Sequence, residues 1–405
     1  MNILLPVIGT RGDNQLFLAL AKALTDAGHE TTVALTEKYV ALAESYGIRT
    51  SSLGGSPDEG VAEMREMMRA SSRLKAVQIG TDSFHKGVRS HTAALQRLCP
   101  AYDLIVCYGD FGRAEADKAD KPHIRVAVDP TMAEKRLSGH PGHDIGLVVE
   151  RISLHYLINR EHIRFRREIG ALPAKESMGP QLVLLPMSEQ VVKRGANWTA
   201  RNVMSGFWYL DTPVGYSPPK ELQSFLERGE RPVFISFGSA AWSEEDDTAL
   251  LKMLIDAVSA NRGRAIVVTS ADRIRSDVPD NIYLIDDVPH DWMFSQVSCV
   301  IHHCGLGTTA AVLRAGIPSV PVPYLIDQFA WARRIHSLRV AVPPIPRKRL
   351  TTQRLAQAIA QASADCELRM NASELADSLR KEDGLKRTVE AIVHAIQGNS
   401  QSPSS

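Results

Sequence analysis

The 405-residue sequence is poor in cysteine, in aromatic residues and in any excess of charge of one sign. Its five cysteines include no CxxC pair, which predicts free thiols in a reducing cytoplasm rather than a disulfide framework. The 47 basic and 46 acidic residues nearly cancel, a balance that argues against a dedicated nucleic-acid binder. No apolar run approaches the roughly 20 residues of a membrane-spanning helix, and the N-terminus lacks the features of a signal peptide. These absences, with the length, predict a cytoplasmic globular protein of about two domains.

The first residues have the pattern that begins a parallel α/β sheet. Residues 2–8 form a short apolar run, which ends at the sequence Gly-Thr-Arg-Gly-Asp of residues 9–13. Apolar residues at three- and four-residue spacing then predict a helix from Asn14 to Gly28, and residues 30–35 read as a second strand. Strand, glycine-containing loop, helix and strand follow one another as in a doubly wound sheet. Further strands are predicted at 103–107 and 123–128.

A long, arginine-rich helix is predicted over residues 150–169. The favoured interpretation is a solvated basic face. The alternative is a surface for peripheral contact with anionic lipid or with a charged acceptor.

A change in composition near residue 211, to a segment rich in proline, marks the boundary between two domains. The segment Asp-Thr-Pro-Val-Gly-Tyr-Ser-Pro-Pro is incompatible with a helix and predicts a linker. Beyond it the pattern restarts, with a strand and glycine loop at 231–239, a helix at 246–260, and strands at 265–269, 282–285 and 297–302. The predicted organisation is a first domain over 1–210, a linker over 211–222, a second domain over 223–385, and a C-terminal helix with a disordered tail over 386–405.

Residues 300–331 carry the strongest chemical signal. A strand ends at His302 and His303, a loop contains Gly305 and Gly307, and a helix predicted from Thr308 to Ala315 is closed by Gly316. The unpaired N–H groups at a helix N-terminus attract anions, and glycines let backbone approach a phosphate closely. Adjacent strand side chains point to opposite sides, so only one histidine is expected to face a ligand, and His303 is the choice.

These motifs together resemble one family. The sequence HCGLGTT of residues 303–309, followed by Gly-Ile-Pro and then by Asp327-Gln328, resembles the donor-site signature of family 1 glycosyltransferases. The N-terminal GTRGDNQ and the segments 205–211 and 343–351 are similar to those of sterol and antibiotic glycosyltransferases. The resemblance implies an α/β protein of the GT-B fold, in which two Rossmann-like domains face each other across a cleft.

The resemblance implies an inverting, metal-independent transfer of sugar from a UDP- or dTDP-sugar to a hydroxyl of a lipophilic acceptor. The chain has no D-x-D motif for a metal, so the helix N-terminus and His303 would stabilise the diphosphate. Asp13 matches the proposed general base, although a helix cap is an equal alternative. The positions that match donor-binding residues are Thr10, Arg11, Gly12, Ser239, Val288, His303, Gly305, Gly307, Thr308, Thr309, Asp327 and Gln328.

Other interpretations stay open at this point. Asp287 and Ala311 stand where plant members have a base-stacking tryptophan and a ribose-binding glutamate. The nucleoside of the donor, uridine or deoxythymidine, therefore stays open. Asp110 could orient the base or contact the acceptor, although a turn residue is favoured. A nucleotide-sugar epimerase and a non-catalytic nucleotide-sugar-binding subunit are the alternative functions. No metal, cofactor or nucleic acid is expected.

Overall fold

The computed structural model describes residues 1–55, 73–128, 161–171, 181–195, 198–238, 247–269 and 278–399, with positions 63, 66, 67 and 70. Its contacts divide the chain into two units. Unit 1 comprises Met1–Leu210 together with the segment that begins at Glu382, and unit 2 comprises Asp211–Lys381. The last helix therefore belongs to the first unit, although it follows the second in sequence.

Unit 1 is built on a parallel sheet with the strand order β3-β2-β1-β4-β5-β6-β7. The order reverses between β1 and β4, which are paired through Ile3 and Leu104 and through Leu4 and Ile105. In sheets of this type, ligands bind at the carboxyl ends of the strands beside that reversal. The strands are β1 (Asn2–Pro6), β2 (Glu30–Leu35), β3 (Thr50–Ser52), β4 (Leu104–Tyr108), β5 (His123–Val126), β6 (Val183–Leu185) and β7 (Asn202–Met204).

The helices of unit 1 cover this sheet with apolar faces. Phe17, Leu20 and Leu24 of the first helix are fully buried against it, and Ile392 of the last helix enters the same core. The described helices are α1 (Arg11–Asp26), α2 (Val40–Glu44), α3 (Arg73–Leu98), α4 (Arg113–Lys118), α5 (residues 161–168) and, returning from the end of the chain, α13 (Gly384–Asn399), with short 3-10 turns at Glu37–Tyr39 and Cys99–Ala101.

Unit 2 repeats the same winding on a smaller sheet, with the order β10-β9-β8-β11-β12 and every described pair parallel. Here the reversal lies between β8 and β11. The strands are β8 (Val233–Ser236), β9 (Ala265–Val268), β10 (Ile282–Ile285), β11 (Val300–His302) and β12 (Ser319–Pro321). The helices are α6 (Lys220–Glu227), α7 (Asp247–Ala260), α8 (His290–Phe294), α9 (Leu306–Ala315), α10 (Ile326–Ser337), α11 (Thr352–Ala364) and α12 (Cys366–Leu379), with a 3-10 turn at Arg347–Arg349.

Two helices begin earlier than the sequence pattern predicts. Helix α1 starts at Arg11 instead of Asn14, because Thr10 is its N-cap and Asp13 accepts from the cap residue. Helix α9 starts at Leu306 instead of Thr308, with Gly305 as N-cap. The predicted stop at Gly316 is confirmed, since this residue has the left-handed φ of 73° that glycine tolerates.

The prediction of a solvated basic face over 150–169 is wrong for Arg166. Residues 150–160 lie outside the described part, whereas 161–168 are helical. The Arg166 side chain is buried, and its guanidinium donates to Asp117 at 2.5 Å. A buried guanidinium needs such a charged partner, and Asp117 also faces His123 at 3.5 Å. This helix is therefore fixed to α4 by an ion pair.

Buried Glu115 on helix α4 makes the stability of unit 1 depend on pH. It is 1% exposed, and burial raises its pKa from 4.5 to about 7. The folded protein thus holds a proton that the unfolded chain releases, so the free energy of unfolding falls as pH rises from 4.5 to 7. Glu115→Gln should stabilise the protein by about 3 kcal/mol at pH 8 and by less than about 1 kcal/mol at pH 5.

Unfolding scans of both proteins from pH 5 to pH 8 measure this difference. The exposed Glu44 of helix α2 provides the matched control, because Glu44→Gln makes the same chemical change at the surface. An equal gain at every pH for Glu115→Gln would contradict a titrating buried carboxyl.

Searched over the described residues, the structure contains no helix that is both long enough and apolar enough to cross a membrane. The prediction of free thiols is confirmed, because all five cysteines are unpaired and Cys366 alone among them is exposed.

Candidate active site

Asp13 lies at the carboxyl end of β1, beside the strand-order reversal of unit 1. Its Oδ2 atom accepts hydrogen bonds from the Thr10 backbone N–H at 2.7 Å and from the Thr10 hydroxyl at 2.8 Å. Gly9 permits this geometry: its φ is +128°, and a Cβ at this position would lie 2.5 Å from Asp13 Oδ2. Asp13 therefore takes part in capping α1 as the third helical residue, through one oxygen only.

The second oxygen of Asp13 is held from the neighbouring strand. The Tyr108 hydroxyl, at the end of β4, donates to Asp13 Oδ1 at 2.7 Å. Motif reasoning missed this residue and considered Asp110, for which a turn residue was favoured; its carboxylate is paired with Arg113 at 3.2 Å and Arg125 at 3.6 Å. The signal that could have found Tyr108 is its position directly after the strand predicted at 103–107, since side chains at the carboxyl ends of parallel strands border the ligand site of a doubly wound sheet.

The surroundings of Asp13 determine its protonation. Burial raises the pKa of this carboxyl, and the hydrogen bonds from Tyr108 and then from Thr10 work against that rise. Tyr39 lies close enough that the Asp13 charge and, above all, burial raise the pKa of its hydroxyl to about 12. The positive charge of Arg11, the first residue of α1, works against the rise in the pKa of Tyr39. The next residue, Gly12, is exposed. Thr10, Arg11, Gly12 and Asp13 thus form one helix terminus.

In unit 2 the predicted diphosphate loop is the N-terminus of helix α9. Gly305 caps this helix without a side-chain hydrogen bond, and the first helical bond runs from the Thr309 N–H to the Gly305 carbonyl at 2.9 Å. The N–H groups of Leu306, Gly307 and Thr308 precede that bond and have no carbonyl within the helix. The Thr309 hydroxyl is fully buried and has no hydrogen-bond partner within the described part. The arrangement is typical of an anion site.

His303 packs against the loops that follow β8 and β11. A Cβ at Gly305 would lie 2.6 Å from its Nε2 atom, and a Cβ at Gly238 would lie 3.2 Å from the same ring. Tyr324 stacks on the His303 ring, with ring centroids 5.9 Å apart. Burial lowers the pKa of His303 to about 4, partly offset by the Ser236 backbone, so the imidazole is neutral at pH 7. It therefore acts as a hydrogen-bonding group rather than as a fixed positive charge.

His302 and Cys304, on either side of His303, are buried and joined by a hydrogen bond. The His302 ring is fully buried, and its Nδ1 accepts from the Cys304 backbone N–H at 3.3 Å. Cys304 is itself buried and has a φ of 67°, a conformation that costs a non-glycine residue about 1 kcal/mol. Burial raises the pKa of its thiol well above the usual value. Cys304 is therefore an inert part of the loop, whereas His303 borders the glycines.

Of the remaining donor-site positions, Asp327 and Gln328 lie near Tyr324. Gln328 is buried, and its Oε1 atom accepts from the N–H groups of Tyr324 and Leu325, each at 3.0 Å. Burial raises the pKa of the Tyr324 hydroxyl, its hydrogen bond to Gln328 works against that rise, and the negative charge of Asp327 adds to it. The same charge adds to the rise that burial produces in the pKa of the Cys304 thiol. Val288 has its side chain buried in the core of unit 2. Ser239 lies outside the described residues.

Two family models match the chain, one near its N-terminus and one toward its C-terminus. Residues 3–111 match the N-terminal domain of glycosyltransferase family 28, and residues 252–393 match the C-terminal domain of erythromycin biosynthesis protein CIII-like proteins. A sterol 3-beta-glucosyltransferase of Arabidopsis thaliana is 30% identical over 428 residues, which cover 97% of this chain and 68% of the relative. The chain belongs to the family 1 glycosyltransferases.

Other members of this family are longer than the chain. A second Arabidopsis thaliana sterol 3-beta-glucosyltransferase is 29% identical over 97% of this chain and 65% of its own length. The Saccharomyces cerevisiae sterol 3-beta-glucosyltransferase is 27% identical over 96% of this chain, and the chain spans 35% of its length.

Solved structures confirm the predicted fold. The glycosyltransferase VinC, solved in complex with DTDP, is 19% identical with a TM-score of 0.70, covering 98% of this chain and 100% of that one. The spinosyn rhamnosyltransferase SpnG, solved with spinosyn aglycone, is 18% identical with a TM-score of 0.72, covering 96% and 100%. The glycosyltransferase described here therefore has the GT-B fold of two Rossmann-like domains.

Proposed function

We propose that this glycosyltransferase transfers a sugar, with inversion, from a nucleotide-diphosphate sugar to a hydroxyl of a lipophilic small molecule. The observation that carries the proposal is the His303 ring at the N-terminus of helix α9, which has no side-chain cap, beside the strand-order reversal of unit 2. Such a terminus offers N–H donors where a departing diphosphate gains negative charge. Unit 1 would hold the acceptor and unit 2 the donor.

In the proposed step the acceptor oxygen attacks the anomeric carbon of the donor sugar. The acceptor's hydroxyl proton moves to the Oδ1 atom of Asp13 as the new glycosidic bond forms. The bond from the anomeric carbon to the diphosphate breaks, and its electron pair leaves with the nucleoside diphosphate. Oδ1 accepts one hydrogen bond, from Tyr108, and a carboxylate oxygen has a second lone pair for the acceptor proton.

The donor would be held by backbone and polar side chains. We assign the diphosphate to Arg11, Gly12, Gly305, Gly307, Thr308 and Thr309, with Ser239 and Thr10 as further contacts. Because Thr10 gives both its donors to Asp13, its main role is to hold the base. Asp327 and the amide N–H₂ of Gln328 would bind hydroxyls of the sugar, and the backbone of Val288 would read the nucleotide base.

The lipophilic acceptor class rests on the relatives. The curated relatives are sterol 3-beta-glucosyltransferases, and SpnG was solved with a spinosyn aglycone. We therefore propose a hydroxylated sterol or polyketide as acceptor and the cytoplasm as the location, which the buried, unpaired thiols support.

Mass spectrometry of reaction mixtures tests the proposal. UDP-glucose and dTDP-glucose are each incubated with cholesterol, ergosterol, a flavonol and a macrolide aglycone. The expected result is a product heavier than one acceptor by one hexose, with release of UDP or dTDP. Epimerised donor without any sugar-bearing product would support the epimerase alternative and contradict transfer.

The neutral state of His303 predicts that donor binding depends on pH. A diphosphate placed against the ring stabilises the imidazolium, so binding raises the pKa of His303 from its value of about 4. Affinity then increases as pH falls toward the pKa of the complex. We expect UDP-glucose, whose diphosphate does not titrate in this range, to bind about tenfold more tightly at pH 5.5 than at pH 8.

Isothermal titration calorimetry of wild type and of His303→Gln measures this dependence. Glutamine keeps a hydrogen-bond donor but has no titrating group, so its affinity for UDP-glucose should vary little with pH. An equal pH dependence in both proteins would show that His303 does not contact the diphosphate.

A further inference from the structure

Among the described residues, Tyr108 is the one that donates a hydrogen bond to Asp13 from a neighbouring strand. It ends β4, the immediate neighbour of β1 in the sheet. Its ring packs edge-on against Phe17 of helix α1, with centroids 5.8 Å apart and planes at 68°. The phenol is therefore fixed by the core of unit 1 and carries its hydroxyl to Oδ1 of Asp13.

The two oxygens of Asp13 have different partners and therefore different tasks. Both donors of Thr10 converge on Oδ2, which belongs to the same helix terminus. Oδ1 receives the Tyr108 hydroxyl alone among the described contacts, at 2.7 Å. Without Tyr108 the carboxylate could rotate about its χ2 bond, a broad torsion, while it keeps one bond to Thr10.

We propose that Tyr108 is the positioning residue of the general base: it fixes the direction of the free lone pair of Asp13 Oδ1 and sets the basicity of the carboxylate. This inference rests on the proposed function, because it concerns the same proton transfer. A hydrogen bond from a neutral phenol stabilises the ionised carboxylate more than the protonated acid. The Tyr108 hydroxyl thus works against the rise that burial produces in the pKa of Asp13.

The charged and titratable neighbours of Asp13 are few among the described residues. Arg11 lies on the same helix, Tyr39 lies on the 3-10 turn after β2, and Tyr108 lies on β4. Tyr39 and Tyr108 are both phenols near the carboxylate, but among the described contacts only Tyr108 donates a hydrogen bond to it. Tyr39→Phe is therefore the matched control for Tyr108→Phe, since each removes one hydroxyl.

The test compares the pH profiles of UDP-glucose transfer to cholesterol by wild type, Tyr108→Phe and Tyr39→Phe. We expect Tyr108→Phe to move the acidic limb of kcat/KM about one pH unit higher and to lower kcat on the plateau about tenfold. The KM for UDP-glucose should stay within about twofold, because the hydroxyl does not touch the donor. Tyr39→Phe should leave the limb unmoved.

A spectroscopic titration makes the result independent of turnover. The infrared carboxyl band that is absent from Asp13→Asn reports the protonation of Asp13, and its midpoint should rise in Tyr108→Phe by the same pH shift. An unchanged midpoint in folded Tyr108→Phe, or an equal shift in Tyr39→Phe, would overturn the inference. Failure of the proposed function would look different: wild type would form no glycoside, while the titration would still report on Tyr108.

Discussion

Asp13→Asn should lower kcat for sugar transfer about a thousandfold while the affinity for UDP-glucose stays unchanged. The amide removes the base but keeps an oxygen that accepts from the Thr10 N–H and hydroxyl, which now hold Oδ2 at 2.7 and 2.8 Å. Its N–H₂ group then faces Tyr108, whose hydroxyl can rotate to accept a hydrogen bond. Helix α1 should therefore remain capped, and the loss should appear in the chemical step.

Steady-state kinetics and calorimetry with UDP-glucose separate the two effects. Thr10→Val is the matched control for capping, because it removes one hydrogen bond to Oδ2 and leaves the carboxylate. Turnover that survives in Asp13→Asn, together with a lower unfolding temperature, would assign Asp13 to capping alone.

Gly305→Ala should weaken UDP-glucose binding about tenfold or more through a collision with His303. The new Cβ would lie 2.6 Å from Nε2, a separation that folded proteins do not tolerate, so the ring must turn away from the N-terminus of α9. The backbone of Gly305, with φ −64° and ψ 150°, suits alanine, so the fold should survive. The cost should fall on the ligand site, apart from a modest loss of capping.

A double-mutant cycle tests this mechanism by calorimetry. If the collision with His303 is the cause, Gly305→Ala should add little to the loss in affinity that His303→Ala produces alone. Additive losses would show that the alanine methyl group acts directly on the ligand instead.

The parallel α/β class and the positions of most strands could be predicted because their signals are local. The strands at 30–35 and 282–285 are confirmed residue for residue, since runs rich in β-branched, apolar and aromatic residues between turn signals read as strands. Both helix starts were placed too late. The N-caps are Thr10 and Gly305, so each helix includes the glycine and polar residues that follow its cap, a composition that is typical of loops.

Contacts between distant residues could not be read from the sequence. The Tyr108–Asp13 hydrogen bond spans 95 residues and depends on β4 lying beside β1. The neutral state of His303 depends on burial by Gly238 and Tyr324, which come from other segments. The assignment of the last helix to unit 1 follows from the packing of Ile392 in its core, since an amphipathic pattern does not identify its partner.

The configuration of the product tests the central claim most directly. If Asp13 deprotonates an acceptor that attacks the donor in a single displacement, UDP-α-glucose must give a β-glucoside. Proton NMR of the purified product should then show the large coupling between H1 and H2 that marks two axial protons, and Asp13→Asn should form almost none of this product. An α-glucoside with its small coupling, or a β-glucoside formed equally fast by Asp13→Asn, would contradict the account.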